Sequence, residues 1–192
     1  MILKKSYGLV HTLFLDYINS NMNKLILIAM GLFTSIFSFA EKSGKDVKIP
    51  EENFVVVESS ADGKPAVIAV NTSLRKFKHK ELYGWTCSLV IKFKDTTMDG
   101  MPTTDESNFV FDYIEELDKV IKGDSTQPNA VYLARITWNG TCEVIWQVKD
   151  PKVVHEYLGG IINNKTYPRE LDYRIEFDKE WEKVSVYNNI KP

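Results

Sequence analysis

The sequence has little of the chemistry on which most enzymes depend. Its 192 residues include only two cysteines, Cys87 and Cys142, and three histidines. None of these residues follows a zinc-binding spacing such as CxxC, HxxxH or HExxH. The patterns GxSxG, GxxxxGK[ST] and GxGxxG, which position a nucleophile or cradle phosphates, are missing as well. We therefore expect no metal, no cofactor and no catalytic residues.

A strong charge of one sign is also lacking. The formal net charge is -2, whereas nucleic-acid-binding domains usually carry a basic patch, so we expect no nucleic-acid partner. With 44% hydrophobic and 26% charged residues, the chain has the composition of one ordinary globular domain. Such a domain can bury a core without metals or many disulfides. With a nucleic-acid partner excluded, we expect the partner to be an unknown protein or a small ligand.

The one long apolar run lies near the N-terminus. After Met22 come the positively charged Lys24, the apolar run Leu25–Phe37 and a small-x-small sequence that ends at Ala40, before Glu41. This order is typical of a secretory signal peptide that is cleaved between Ala40 and Glu41. We therefore predict an exported protein, periplasmic or secreted.

The same stretch sets the predicted boundaries. Counted up to the predicted cleavage point, the whole apolar stretch comprises residues 25–40 and is 16 residues long. A membrane-spanning helix needs about 20 residues, so we favour cleavage, with no stable membrane anchor afterwards, over an uncleaved anchor. We interpret residues 1–21 as an upstream extension from a misassigned start, residues 22–40 as the signal peptide and residues 41–192 as a single globular domain.

The patterns within residues 41–192 predict an α+β fold. Alternation and β-branched runs predict six strands, and 3.6-residue spacing predicts two helices, which start after Thr103 and at Pro151. The predicted strands are Phe54–Ser59, Ala66–Val70, Trp85–Phe93, Val131–Trp138, Cys142–Val148 and Leu171–Phe177. Their order is a β-hairpin followed by β-α-β-β-α-β, which is the ferredoxin-like, split βαβ pattern. It predicts a mainly antiparallel sheet with both helices on one face.

Smaller signals add detail to this fold. Thr103 and Glu106 have the spacing of a capping box for the first helix. Its predicted buried stripe consists of Phe109, Tyr113, Leu117 and Val120, with Ile114 and Ile121 beside them, and Gly123 ends the helix. We expect residues 71–84 to be a polar connection, and residues 178–189 to form a short strand or an extension of the sheet edge.

Three blocks of the mature chain resemble a known family. Gly100-Met101-Pro102 precedes a helix that contains Ile114-Glu115-Glu116, a hairpin with a glycine turn spans Arg135–Trp146, and an acidic, tryptophan-containing segment closes the chain at Asp178–Tyr187. Their order and spacing resemble the bacterial domain-of-unknown-function 695 family over about residues 52–187. The resemblance implies no activity, because the family has no established chemistry or catalytic residues.

The two cysteines are a candidate disulfide. By strand parity Cys87 lies on the same face as Leu89, and Cys142 on the same face as Val144, so both point to the core. In the predicted sheet their strands are neighbours, and an even cysteine count in an exported protein favours a bridge. The alternative is a pair of buried free thiols.

The stretch Thr137–Trp146 contains an Asn-Gly pair within a glycosylation triplet. Asn71 and Asn164 begin similar triplets, and the chain looks bacterial, so we interpret Asn139-Gly140 as a two-residue hairpin turn. Tyr132, Arg135, Trp138 and Trp146 lie around this turn, and aromatics on an open sheet face can form a ligand platform. Parity divides them between the two faces, which favours core packing instead.

Two functions fit these observations. The first is a non-catalytic binding or interaction module, because no catalytic constellation is visible. The second is a hydrolase whose site is assembled from distant residues such as Glu115, His155 and Asp178.

Overall fold

The computed structural model describes residues 47–188 and 190. The predicted extension at 1–21, the signal peptide at 22–40 and the cleavage point between Ala40 and Glu41 lie outside these residues. The strands are β1 (Phe54–Ala61), β2 (Lys64–Asn71), β3 (Trp85–Lys92), β4 (Ala130–Trp138), β5 (Thr141–Val148) and β6 (Leu171–Phe177). The helices are α1 (Thr104–Lys122), α2 (Pro151–Asn164) and the short α3 (Ser185–Asn188). The predicted α+β class is confirmed.

All six strands form one antiparallel sheet in the order β1-β2-β4-β5-β3-β6. The opening hairpin joins the sheet through β2, which pairs with β4. Its turn is Asp62-Gly63, and both residues have positive φ, 51° and 73°. Asn139-Gly140, with φ of 46° and 80°, makes the corresponding turn between β4 and β5, which confirms its interpretation as a two-residue hairpin turn.

Helices α1 and α2 pack on the same face of the sheet. The core beneath them includes Leu89, Val144 and Trp146 from the strands and Leu117 and Leu158 from the helices. Asp150 caps α2 by accepting a hydrogen bond from the Lys152 backbone N–H at 3.0 Å. Thus the helix layer covers the part of the sheet that lies between β4 and β6.

The predicted buried stripe of α1 is wrong at two positions. Phe109 is 42% exposed and Val120 is 49% exposed, whereas Val110, Ile114, Leu117 and Ile121 are buried. The buried stripe is therefore shifted around the helix by less than one residue position, that is, by less than 100°, and Ile114, Leu117 and Ile121 belong to both the predicted and the observed stripe.

The predicted capping box is only half formed. The Thr103 hydroxyl accepts a hydrogen bond from the Glu106 backbone N–H at 3.4 Å, as expected for an N-cap. The Glu106 carboxylate does not return to Thr103. Instead it is buried and bonds to the guanidinium of Arg169 at 2.7 and 2.8 Å and to the Lys94 backbone N–H at 2.9 Å. An ion pair has replaced the second half of the motif.

The opposite face of the sheet is also covered, contrary to the sequence prediction. Residues 72–83, expected to be a polar connection, contain two 3-10 helices that bury Leu74 and Tyr83. Residues after β6, expected to be a strand, instead turn across this face and bury Trp181 and Tyr187. The sheet is therefore enclosed on both sides at its centre.

Candidate functional site

The structure leaves one part of the sheet uncovered on the helix side. Helices α1 and α2 cover the sheet as far as β4, so the β1–β2 hairpin extends beyond them. On this side of the hairpin Phe54 is 40% exposed and Val56 is 61% exposed. We define the hairpin groove as the depression between α1 and the hairpin, lined centrally by Phe54, Val56, Val67, Ala69, Phe111 and Arg135.

The strand register explains the shape of this groove. Val56, Ala69, Arg135 and Val144 are opposite one another on β1, β2, β4 and β5, and they form one row across the sheet. Val144 lies fully buried beneath the helices, whereas Val56 is open to solvent. Because Ala69 has only a methyl group, the middle of the row forms a low floor beside α1.

The groove consists of two adjoining cavities. One has a volume of about 280 Å³ and reaches Phe54, Val56 and Tyr132, and the other has a volume of about 340 Å³ and reaches the first turn of α1 at Thr104. Ala69, Phe111 and Arg135 line both cavities. The arginine therefore lies at their junction.

The Arg135 side chain is held over an aromatic ring. Its guanidinium carbon lies 3.6 Å from the ring centre of Phe111 on α1. Such a contact contributes about 0.5–2 kcal/mol, depending on how far the cation is desolvated. Within residues 47–188 and 190, no carboxylate oxygen lies within 4 Å of this guanidinium. The group is thus positioned by packing, and no carboxylate of the described residues serves as its counter-ion.

One end of the groove is closed by an ion-pair network. Lys122 lies 2.6 Å from Asp118 and 2.7 Å from Glu52, and the Trp146 indole N–H donates to Asp118 at 2.7 Å. Burial opposes the charge on Lys122, but the hydrogen bonds that its ammonium group donates to the two carboxylates, together with their negative charge, outweigh this effect and raise the lysine pKa. Glu115 lies nearby on α1 and is exposed.

A β-bulge places Tyr132 beside this network. The register of β4 against β5 shifts between Tyr132 and Ala134, so Leu133 is the extra residue. The bulge brings Tyr132 onto the same face as Arg135 and Trp146, although Tyr132 and Arg135 have opposite parity. Strand parity alone therefore missed this side of the groove.

The remaining members of the predicted aromatic constellation pack in the core. Trp146 lies beneath the helices, and its ring centre is 5.6 Å from that of Tyr132. Trp138 lies on the opposite face, where its indole N–H donates to the Ala61 carbonyl at 3.1 Å. The predicted division of the two tryptophans between the faces is confirmed.

A second, broader depression lies between α2 and the edge strand β6. Its volume is about 1140 Å³, and it is lined by His155, Gly159, Tyr173 and Arg174, among others. The Tyr173 hydroxyl lies 2.7 Å from Nδ1 of His155. No third polar group completes a charge-relay arrangement with this pair among the contacts of the described residues.

The three residues of the hydrolase alternative lie in separate places. Glu115 borders the hairpin groove, and His155 borders the α2–β6 depression. Asp178 is buried on the opposite face of the sheet, where it accepts hydrogen bonds from the backbone N–H groups of Glu182 and Lys183 at 2.8 and 3.0 Å. The fold does not bring these three side chains together.

The candidate disulfide between Cys87 and Cys142 is not formed. Both cysteines are free, buried and on the helix side of neighbouring strands, so the predicted face is confirmed. However, Cys142 is opposite Ile91, and Cys87 is opposite Trp146. This four-residue offset separates the two by about 13 Å, beyond the Cα distance of about 7 Å that a disulfide tolerates. Burial raises the pKa of each thiol to about 12.

No group of three or more histidine, cysteine or acidic side chains in the described part of the chain is placed to hold a metal ion. Within the same residues, no helix combines the length and the apolar character needed to cross a bilayer.

Comparison with known proteins gives one match. The model of DUF695, described as a family of unknown function, matches residues 52–187. No curated protein and no solved structure matches the chain. The matched region contains all six strands, and the hairpin groove therefore lies within it.

Proposed function

Because this chain belongs to DUF695, a family of unknown function, we propose from its geometry that it is a non-catalytic binding module whose ligand lies in the hairpin groove. One observation carries this proposal: the helix layer ends beside Arg135 and leaves an apolar floor, at whose centre the Arg135 charge has no partner in the part of the chain that the structure describes. Apolar pockets with a few placed polar groups are the usual form of small-ligand sites. A hydrolase receives less support, because its three candidate residues lie in three separate places.

We also infer that the part of the chain from β3 to β6 is a ferredoxin-like, split βαβ unit. The neighbouring order β4-β5-β3-β6 and the two helices on one face support this inference. The hairpin is then an addition beside β4. Two helices are wide enough to cover four strands but not six. The added strands β1 and β2 are therefore left without a helix above them, and this accounts for the open groove.

We further propose that the protein is exported to the periplasm or the medium. The pattern of residues 22–40, with Lys24, an apolar run and Ala40, supports this proposal. N-terminal sequencing of the protein recovered from fractionated cells tests it. We expect a mature chain that begins at Glu41 in the exported fraction, and a chain that begins well before Glu41 would contradict cleavage.

The binding proposal is tested with neutral organic probes. We would titrate hexanamide and benzyl alcohol into 15N-labelled protein and follow the backbone amide shifts. The expected result is that shifts concentrate at Val56, Ala69 and Phe111, because these side chains line the groove.

Two variants provide the comparison. Ala69→Leu fills the floor of the groove and is expected to reduce these shifts at least threefold. Ser59→Leu adds the same apolar side chain to the hairpin but on the other face of β1, and it is expected to leave them unchanged. Shifts concentrated around Tyr173 in the α2–β6 depression, or shifts that Ala69→Leu does not alter, would count against the groove.

A further inference from the structure

Arg135 differs from the other three arginines in having no oxygen partner among residues 47–188 and 190. Arg169 forms the ion pair with Glu106, Arg174 lies 3.9 Å from Glu176, and Arg75 donates to the Ile190 carbonyl. The guanidinium of Arg135 contacts the Phe111 ring but forms no hydrogen bond or ion pair within the described residues. A partly buried cation of this kind is stabilised when a ligand supplies the missing anion.

The surroundings of Arg135 restrict which anion can bind. Lys122 is already engaged by Asp118 and Glu52, so Arg135 is the available cation among the described residues that border the groove. Glu52, Glu115 and Asp118 line the same cavity, and their negative charge disfavours a dianion such as a phosphate monoester more than a singly charged ligand. A carboxylate carries a single charge and matches the planar fork of one guanidinium.

The apolar floor indicates what accompanies the carboxylate. Val56 and Ala69 continue the row on one side of Arg135, and Phe111 forms the wall above it. A short hydrocarbon body fits this surface, since the cavity that reaches Val56 has a volume of only about 280 Å³.

We infer that the hairpin groove binds an organic carboxylate with a short apolar body, with its carboxylate on the Arg135 guanidinium and its body over Val56 and Ala69. This inference rests on the proposed binding function and specifies the ligand class of the same site. The carboxylate can belong to a free acid or to the C-terminus of an apolar peptide, and both present the same group to Arg135.

Matched probes that differ only in charge test the inference. Hexanoate and hexanamide have the same length, and inorganic phosphate supplies an anion without the apolar body. By amide-shift titration we expect hexanoate to bind about tenfold more tightly than hexanamide, because a charge-assisted hydrogen bond is stronger than a neutral one. Phosphate is expected to bind more weakly than hexanoate. The tripeptide Ala-Val-Leu, with a free or an amidated C-terminus, shows whether a peptide carboxylate is accepted equally well.

Three substitutions locate the charge recognition. Arg135→Met keeps an apolar stem against Phe111 and is expected to abolish the preference for hexanoate over hexanamide. Arg135→Lys keeps the charge without the planar fork and is expected to retain part of the preference. Arg174→Met makes the same charge change outside the groove and is expected to retain all of it. Dispersed amide spectra establish that each variant is folded.

The outcomes separate the two proposals. Equal binding of hexanoate and hexanamide at the groove, or a carboxylate preference that survives Arg135→Met, would overturn the inference and leave the binding function standing. If none of the probes binds in the groove, both the carboxylate inference and the proposed binding function are overturned. Preference for phosphate over hexanoate would show that the anion class is wrong.

Discussion

The carboxyl group of Glu143 lies on the sheet face opposite α1 and α2. The pH dependence of the unfolding free energy therefore tests how that face is packed. Glu143 is on β5 with 5% of its surface exposed, and it accepts a hydrogen bond from the Ser88 hydroxyl at 2.5 Å. Burial raises its pKa from the ordinary 4.5 to about 7, although the bond from Ser88 opposes the change. The folded protein therefore binds this proton more tightly than the unfolded chain does.

The sign and size of the effect follow from linkage. Since the folded-state pKa is raised, the stabilisation is fully present below pH 4.5 and is lost as the pH rises to about 7. At about 1.4 kcal/mol for each pH unit between these values, the free energy of unfolding falls by roughly 3 kcal/mol over this range. Glu143→Gln removes the titrating group but keeps a side-chain oxygen that can accept from Ser88.

Urea unfolding of both proteins between pH 4 and pH 8 measures the effect. We expect Glu143→Gln to gain stability relative to the unaltered protein by roughly 3 kcal/mol as the pH rises from 4.5 to 8. Glu116→Gln, an exposed position on α1, serves as the control and is expected to give no comparable gain. If the difference between Glu143→Gln and the unaltered protein is the same at every pH, then Glu143 is not buried as described.

Three further predictions concern the core. Glu106→Gln removes the carboxylate and leaves the partly buried Arg169 without its ion pair, so we expect the free energy of unfolding in urea to fall by about 2–3 kcal/mol at pH 7. This loss should shrink at pH 3, because the Glu106 pKa is lowered and the ion pair stabilises the protein less as the pH falls toward it. Cys87 and Cys142 should resist thiol reagents in the folded protein and titrate as two thiols in denaturant without reductant, and a single or absent thiol signal would contradict their free state. Trp181→Ala should lower the free energy of unfolding by about 3–5 kcal/mol, since the fully buried ring stacks on another aromatic ring and its N–H donates to a backbone carbonyl. A loss below about 1 kcal/mol would contradict the packing of the C-terminal segment.

Sequence patterns predicted the faces of the strands well, because side chains alternate with a period of two. Cys87, Cys142 and Trp146 all lie on the predicted face. The same rule failed at Tyr132, because the bulge at Leu133 reverses the alternation and nothing in the local composition marks a bulge there. Parity also says nothing of how far one strand slides along another, which is why the cysteines were expected to be close enough for a bridge.

Long-range packing was less accessible from the sequence. Thr86 and Ser88 alternate with apolar residues and so resemble a solvent-facing row, yet both are buried. The Thr86 hydroxyl donates to Asp178, which begins the segment that contains Trp181, and the Ser88 hydroxyl donates to the buried Glu143, so both contacts depend on residues far away in the chain. The hairpin groove also depends on long-range packing, since it arises where the helix layer ends, and local sequence patterns do not show where that is.

The most direct test of the binding function is the position of a bound neutral probe. Intermolecular nuclear Overhauser effects between hexanamide and the protein would give that position independently of any role for Arg135. We predict effects from the pentyl chain of hexanamide to the Val56 methyl groups and the Phe111 ring, which line the same cavity of the groove. Effects only to Tyr173 and Ile175, in the depression between α2 and β6, would contradict the account.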